Sequence, residues 1–481
     1  MDTKQHGMRG RWRPDLLSCL AYAVLLAATC WLAIHWIRGS LHFYLPKDWS
    51  QAHEFDGLED WLATRFYLQG KNPYTHDSLA ELKRIGLGHP PTTGFWFIPF
   101  GHLEKAIVAE VFNLVTWFLL LVHLYLCARV VKLPAPAAVA ALIFAWMFTT
   151  DGMTMHWHAI QVSEQIAFLL VLSWFYLRRG QEIPAGLALG MAATIKLFPG
   201  VLMLFLLFAR RYRAFVAAAT AYVAVALFMT ATYGWSAWPL FLQQQGVISR
   251  IWVGSVRNAS LQGIVLRLKT PICQANSMGD AGTAVVAGII SVLLLALTAR
   301  LTYRIVKRAR HDDPRLIDVP FAAFTAVAVF VNPWIWEHYY MMLIQPAFVL
   351  AAAALKIFRR TLRGWLDETD VPLRAVVRDG LLLLLVLAGL AAIVTALRMN
   401  VYATRLTEEL WRAHPVPWVH WHLHGAEITN SLPWVVMIVL SLTMAGYCSR
   451  VGSGRPSTGA APAAAPSGLT PATSRTEDSS A

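Results

Sequence analysis

Two carboxylates four residues apart are the first feature with chemical reach. In His53-Glu54-Phe55-Asp56-Gly57-Leu58-Glu59-Asp60-Trp61, the apolar residues Phe55, Leu58, Leu62 and Phe66 recur at helical spacing. That pattern predicts an amphipathic helix lying on a membrane surface. Asp56 and Asp60 share one face of it. A carboxylate held there could take a proton from a hydroxyl as general base. The plainer reading is a solvated polar face. The helix is expected to stop at Gly70, just before Asn72-Pro73-Tyr74.

A lysine inside an apolar stretch is the second feature. It lies in Ala193-Thr194-Ile195-Lys196-Leu197-Phe198-Pro199-Gly200. An unpaired ammonium in lipid costs a few kcal/mol, about 3 on insertion scales, so such a residue marks a function or a partner. Lys196 could capture the phosphate of a lipid carrier. Equally, it could snorkel from a helix end to the interface. The third feature is Val331-Asn332-Pro333-Trp334-Ile335-Trp336-Glu337-His338-Tyr339-Tyr340. Pro333 breaks a helix, and Glu337 and His338 open the next apolar run. Ionisable residues at such a break line a cavity in the protein, although the aromatics would also serve an interfacial girdle.

Weaker features complete the set. Asn258-Ala259-Ser260 reads as a glycosylation sequon. Gln161 and Glu164 are polar residues at the start of an apolar span. His420, His422 and His424 alternate, but Trp418 and Trp421 interleave with them, which favours an interfacial belt over a metal site. No other cluster suggests a metal.

These residues sit in a chain that is 57% hydrophobic and only 14% charged over 481 residues. A soluble protein carries about a quarter charged residues. The 20 Trp residues suit membrane interfaces. The formal charge of +13 falls in short clusters between apolar runs, the pattern of cytoplasmic loops, and so argues against nucleic-acid binding. The five cysteines show no paired spacing and indicate neither disulfides nor zinc.

Apolar runs and basic clusters predict 12 spans, both termini cytoplasmic, in an inner (plasma) membrane. The spans fall near 16–37, 106–128, 134–150, 159–177, 214–232, 281–303, 317–331, 337–356, 376–397 and 432–449. The stretch 183–209 forms a hairpin of two short helices turning at Lys196–Gly200. The outer loops are 39–105, 233–280 and 398–430. They hold most of the unusual residues, so the chemistry is expected at the outer (periplasmic or exterior) face. Residues 1–450 form one polytopic domain. Residues 451–481, rich in Ala, Pro, Ser, Thr and Gly, form a disordered cytoplasmic tail.

In order along the chain, these segments resemble glycosyltransferase family 87, membrane enzymes of the GT-C type. Asp56 precedes Gly70-Lys71-Asn72-Pro73-Tyr74, matching a Gly-x-x-Pro-Tyr element. His89-Pro90-Pro91-Thr92 matches a Tyr-Pro-Pro element, with His89 in place of Tyr. Lys196-Leu197-Phe198-Pro199 matches Lys-Leu-Tyr-Pro. Asn258-Ala259-Ser260-Leu261 with Arg267 matches an Asn-x-Ser-Leu element with a later Arg. Asn332-Pro333-Trp334-Ile335-Trp336-Glu337-His338 matches Ser-Pro-x-x-Trp-x-His, with Asn332 in place of Ser. Ile160 stands where Gly is expected before Gln161.

The resemblance implies an all-α GT-C-like fold and a polyprenyl-phosphate-linked sugar donor, with mannose the expected sugar and a glycolipid or glycan hydroxyl as acceptor. The expected chemistry is an inverting displacement with Asp56 as base. The lipid phosphate leaves, so it needs positive charge or donors, and Lys196 and His338 are the candidates. Glu337, Asn258, Gln161, Asp60 and Tyr74 are the further substrate-binding candidates. The scheme requires no cofactor or metal. Its partners are the two lipid or glycan substrates and the membrane lipids. Two rival readings are a lipid-linked sugar transporter or flippase, and a ligase or polymerase of surface polysaccharide.

Overall fold

The computed structural model describes residues 56–81, 87–131, 161–254, 258–269, 279–308, 317–366, 371–413 and 417–451. The expected spans near 16–37 and 134–150 and the tail 451–481 lie outside the described residues, apart from Val451. Among the described residues every regular element is a helix. Six helices are long and apolar enough to cross a membrane: Lys105–Val131, Tyr212–Tyr233, Ala281–Lys307, His338–Leu362, Leu373–Ile393 and Ser431–Ser449. Shorter apolar helices stand among them, and the chain is a multi-pass membrane protein.

The long elements are α4 (Lys105–Val131), α5 (Ser163–Arg178), α8 (Tyr212–Tyr233), α11 (Ala281–Arg308), α12 (Asp318–Phe330), α13 (Ile344–Leu366), α14 (Leu373–Ala413) and α15 (Pro417–Val451). Helix α12 is the centre. Every side chain from Val319 to Phe330 is buried, so it is wrapped by protein all round. Other long helices instead show many exposed large apolar residues, such as Leu114, Phe118, Leu227 and Val292. Exposed aliphatic stripes on long helices are the faces that lipid would cover.

The hairpin expected at 183–209 is present as α6 (Glu182–Ile195), a 3₁₀ turn (Phe198–Val201) and α7 (Leu202–Phe208). Gly186 and Gly190 set its position. A Cβ on Gly186 would lie 2.1 Å from the Ala214 carbonyl, and one on Gly190 would lie 2.3 Å from that of Ala218. Two small residues four apart let the backbones of α6 and α8 touch. The pairs 186 with 214 and 190 with 218 also show that α6 and α8 run parallel. On the same offset, Lys196 comes level with about residue 224 of α8. Helix α8 then continues to Tyr233, roughly nine residues or ~13 Å further. The lysine is therefore recessed below the helix end.

The segments 39–105 and 233–280, expected to lie outside, carry short helices in their described residues, α1 (Asp56–Leu68), α2 (His76–Glu81), α3 (Gly94–Phe97), α9 (Ala237–Trp252) and α10 (Leu261–Lys269). Two expectations change here. The segment 398–430, read as a loop, is helical over its described residues: α14 runs on to Ala413 and α15 begins at Pro417. The stretch is rich in Leu, Glu, Arg and Ala, and its first prolines are Pro415 and Pro417, so nothing stops the helix earlier. Helix α1 does form, but not as a float on the bilayer. Trp61, Ala63, Thr64 and Phe66 are buried, and Asp60 is too. Its polar face turns toward protein because Asp60 has a partner there.

Candidate functional site

The partner of Asp60 is His89. Its Nδ1 lies 2.5 Å from Asp60 Oδ2, with both side chains about nine-tenths buried. Local sequence chemistry builds the seat of this pair. Gly70 takes a positive φ of 77° and ends α1, with the Lys71 amide donating back to the Phe66 carbonyl, a glycine stop. Asn72 Oδ1 then accepts from the Tyr74 amide, an Asx turn. Tyr74 is thereby buried, and its hydroxyl donates to the His89 carbonyl at 2.9 Å. Burial first, and then Tyr233, Asp60 and Glu59 nearby, hold the Tyr74 hydroxyl well above the usual phenol range, so it stays a donor. From α9, Gln244 bridges the Leu87 amide and the Tyr74 carbonyl, and Gln245 donates to the carbonyls of Leu87 and Gly88.

The loop leads directly to the broken hairpin. Pro90 and Pro91 fix the backbone, and Thr93 Oγ1 donates to the Ile195 carbonyl at 2.7 Å. Trp96 Nε1 donates to Thr194 Oγ1. These contacts grip the end of α6, where Lys196 turns to extended backbone, φ −142° and ψ 149°. Lys196 is 9% exposed, so it does not snorkel. Its Nζ donates to Tyr339 Oη at 2.8 Å and lies 4.5 Å from the centre of that ring. The ring of His338, itself buried, lies 4.8 Å from Tyr339. Two motifs 142 residues apart in sequence thus meet through one tyrosine. Among the described residues, Lys196 has no carboxylate partner.

Asn258 joins the assembly by a different route. Its Oδ1 accepts from the amides of Ser260 and Ile335, and its Nδ2 donates to the Pro333 carbonyl at 3.0 Å. Ser260 Oγ also donates to Pro333, and the Ala259 amide to the Ile335 carbonyl. Asn258 is fully buried, so it is a latch that shapes the 333–335 break and not a glycosylation acceptor. Arg267 reaches Ser431 on α15 at 3.1 Å.

The remaining candidates are placed as follows. Asp56 opens α1 one turn before Asp60; its side chain, like that of Glu337, lies outside the described residues. Gln161 is buried just ahead of α5. His420, His422 and His424 fall in the first turns of α15, and their side chains lie outside the described residues.

Sequence reasoning passed over three participants. Tyr339 was grouped with interfacial aromatics, and His89 was noted only as a departure from Tyr. His123 on α4 pairs with Glu164 on α5 at 3.0 Å, both fully buried. A histidine in the middle of an apolar span is the signal that would have found it.

With this geometry in hand, the comparisons with known proteins add a family. The model of glycosyltransferase family 87 matches residues 88–333, just over half the chain. That range takes in the His89 loop, the hairpin with Lys196, the Asn258 latch and Pro333. One relative is the polyprenol-phosphate-mannose-dependent alpha-(1-2)-phosphatidylinositol mannoside mannosyltransferase of Mycobacterium tuberculosis. It is 24% identical over 310 residues, covering 60% of this chain and 68% of the relative. No solved structure matches the chain. The matched range is more than half the molecule and includes four of the five elements quoted above in whole or in part, so the chain belongs to glycosyltransferase family 87 and is a membrane glycosyltransferase.

Proposed function

We propose that the protein moves mannose from a polyprenyl-phosphate donor to a hydroxyl of a glycolipid or glycan at the outer face of the plasma membrane. The observation that carries this reading is the recessed Lys196, which meets a neutral phenol beside His338. A buried ammonium with no carboxylate partner among the described residues suits an anion, and a lipid phosphate is an anion delivered at membrane depth. The relative's donor, a polyprenol phosphate mannose, has that chemistry.

The residues divide the work. Lys196 holds the phosphate in the bound donor and gathers charge as the bond to the anomeric carbon breaks. His338 and Tyr339 border the same spot. The leaving group is a phosphate already stabilised as an anion, so it requires no proton. On the opposite side of the sugar, Asp56 takes the proton of the attacking hydroxyl. One displacement inverts the anomeric centre. The donor tail stays in lipid, since each CH₂ moved to water costs about 0.8 kcal/mol. It enters between helices whose outer faces are apolar.

The test is transfer by purified protein in nanodiscs supplied with polyprenyl-phosphate mannose and a phosphatidylinositol mannoside. The expected result is a mannosylated lipid carrying an inverted linkage. Failure to consume the donor with any glycolipid or glycan acceptor would overturn the reading. A retained configuration would remove the single displacement while leaving the donor site in place.

A further inference from the structure

Asp60 and His89 are buried together, yet the transfer scheme gives neither a chemical step. Their place in the fold suggests what they do. Helix α1 is tied to the rest of the protein at Trp61, whose Nε1 donates to the Phe100 carbonyl at 2.9 Å, at Asp60, which meets His89, and at Tyr67, whose ring packs edge-on against Tyr233. The second contact is the short route to the hairpin. Four residues after His89, Thr93 grips the Ile195 carbonyl, immediately before Lys196. The two intervening prolines leave that route little freedom. One turn before Asp60 on the same helix stands Asp56. One path from Asp56 to Lys196 therefore runs through the side-chain bond between Nδ1 of His89 and Asp60.

We propose that the Asp60–His89 pair is a positioning clasp that fixes the distance between the Asp56 carboxylate and the Lys196 ammonium. This rests on the function proposed above, in which those two groups serve opposite sides of the transferred sugar. A general base and a leaving-group site must be held within a fraction of an ångström of the productive geometry. The clasp supplies that for the first turns of α1, where Asp56 stands. The bond is directional. Tyr74, Gln244 and Gln245 hold the loop backbone around His89, and Nδ1 faces Asp60. Only a donor at the δ position of residue 89 reaches the carboxylate.

Asparagine and glutamine separate this role from mere bulk. The amide nitrogen of Asn stands where Nδ1 stands, and that of Gln stands where Nε2 stands. His89→Asn should keep kcat within about threefold of the parent. His89→Gln and His89→Phe should lower kcat by about ten- to a hundredfold, with the KM for polyprenyl-phosphate mannose unchanged, because Lys196 is untouched. All four proteins are compared in nanodiscs, with rates per folded molecule from size exclusion. If the Phe variant does not fold, Asn against Gln still decides.

Equal kcat for Asn and Gln would overturn the clasp, as would a rise in donor KM without loss of kcat, or full kcat in the Phe variant. Asp56→Asn, assayed alongside, keeps the two proposals apart. An inactive Asp56→Asn with a fully active His89→Phe removes the clasp alone. A fully active Asp56→Asn removes the base on which the clasp depends.

Discussion

The two ends of the helix bundle treat charge in opposite ways. At one end, five helix termini meet and the charges cancel. Arg178, closing α5, lies 3.3 Å from Asp318, which opens α12, and it donates to the Val130 carbonyl of α4. Trp174 Nε1 also donates to Asp318. Glu182, opening α6, meets Arg211 just before α8 at 3.3 Å. Asp379 on α14 is met by Arg378, Thr361 and Tyr447. At the other end, Lys196 meets a phenol, and Asp60 meets an imidazole. Among the described residues, Arg178 and Glu182 at the first end face a group of opposite charge, whereas Lys196 and Asp60 at the second face a phenol and an imidazole. Neutralised charge stabilises a junction and leaves nothing for a ligand. Charge held against a weak partner can still bind an anion or move a proton. The contrast supports the proposed placement of the chemistry at the second end.

Four substitutions would break or sharpen that contrast. Asp56→Asn has the largest expected effect: kcat falls about 10²–10⁴-fold while donor affinity survives, measured by transfer and by donor binding. A kcat equal to the parent would take the base away from α1. Lys196→Met comes next. Removing one charged donor from a preorganised site costs about 10²–10³-fold in rate, and here donor binding should fall as well. Donor affinity unchanged in this variant would show that the phosphate binds elsewhere.

Gly190→Leu acts at a distance. The Ala218 carbonyl occupies the space a side chain would need, so α6 must move away from α8 and carry Lys196 with it. Overpacking of this kind costs about 1–3 kcal/mol; a lower melting temperature and a raised donor KM are expected together. Wild-type KM with wild-type stability would show that the α6–α8 contact does not position the hairpin.

The smallest effect on transfer belongs to the other end. Asp318→Asn leaves Arg178 half-served, and breaking a buried pair costs about 3–5 kcal/mol. Stability should fall, yet kcat and KM of the folded fraction should match the parent. A change in donor KM would mean that the neutral end also feels the substrate.

Much of this was legible in the sequence. The hairpin at 183–209, the break at Pro333 and the stop at Gly70 are signalled by prolines, glycines and basic flanks, which act locally. Lys196 and His338 were both candidates for the lipid phosphate, and Tyr339 brings their motifs together. Other features depend on partners far along the chain. Asp60 looks like a solvated acid until His89 is placed beside it, 29 residues away. Asn258 looks like a glycan acceptor until Pro333 and Ile335 fill its hydrogen bonds. Tyr339 is one aromatic among many until Lys196 arrives. The helices through 398–430 were missed for another reason: a polar, His-rich stretch resembles a loop in composition, whereas backbone propensity follows helix formers and the absence of Pro. Choosing Asp56 over Asp60 rested on family spacing alone, and the burial of Asp60 against His89 now gives the second carboxylate a separate role.

The proposed function rests on the recessed lysine as the donor's phosphate site. The direct measurement is equilibrium binding of polyprenyl-phosphate mannose to the parent, Lys196→Met and Asp56→Asn in nanodiscs, without acceptor. Asp56→Asn is expected to bind as the parent does, and Lys196→Met at least tenfold more weakly. Equal affinity in all three proteins would contradict it.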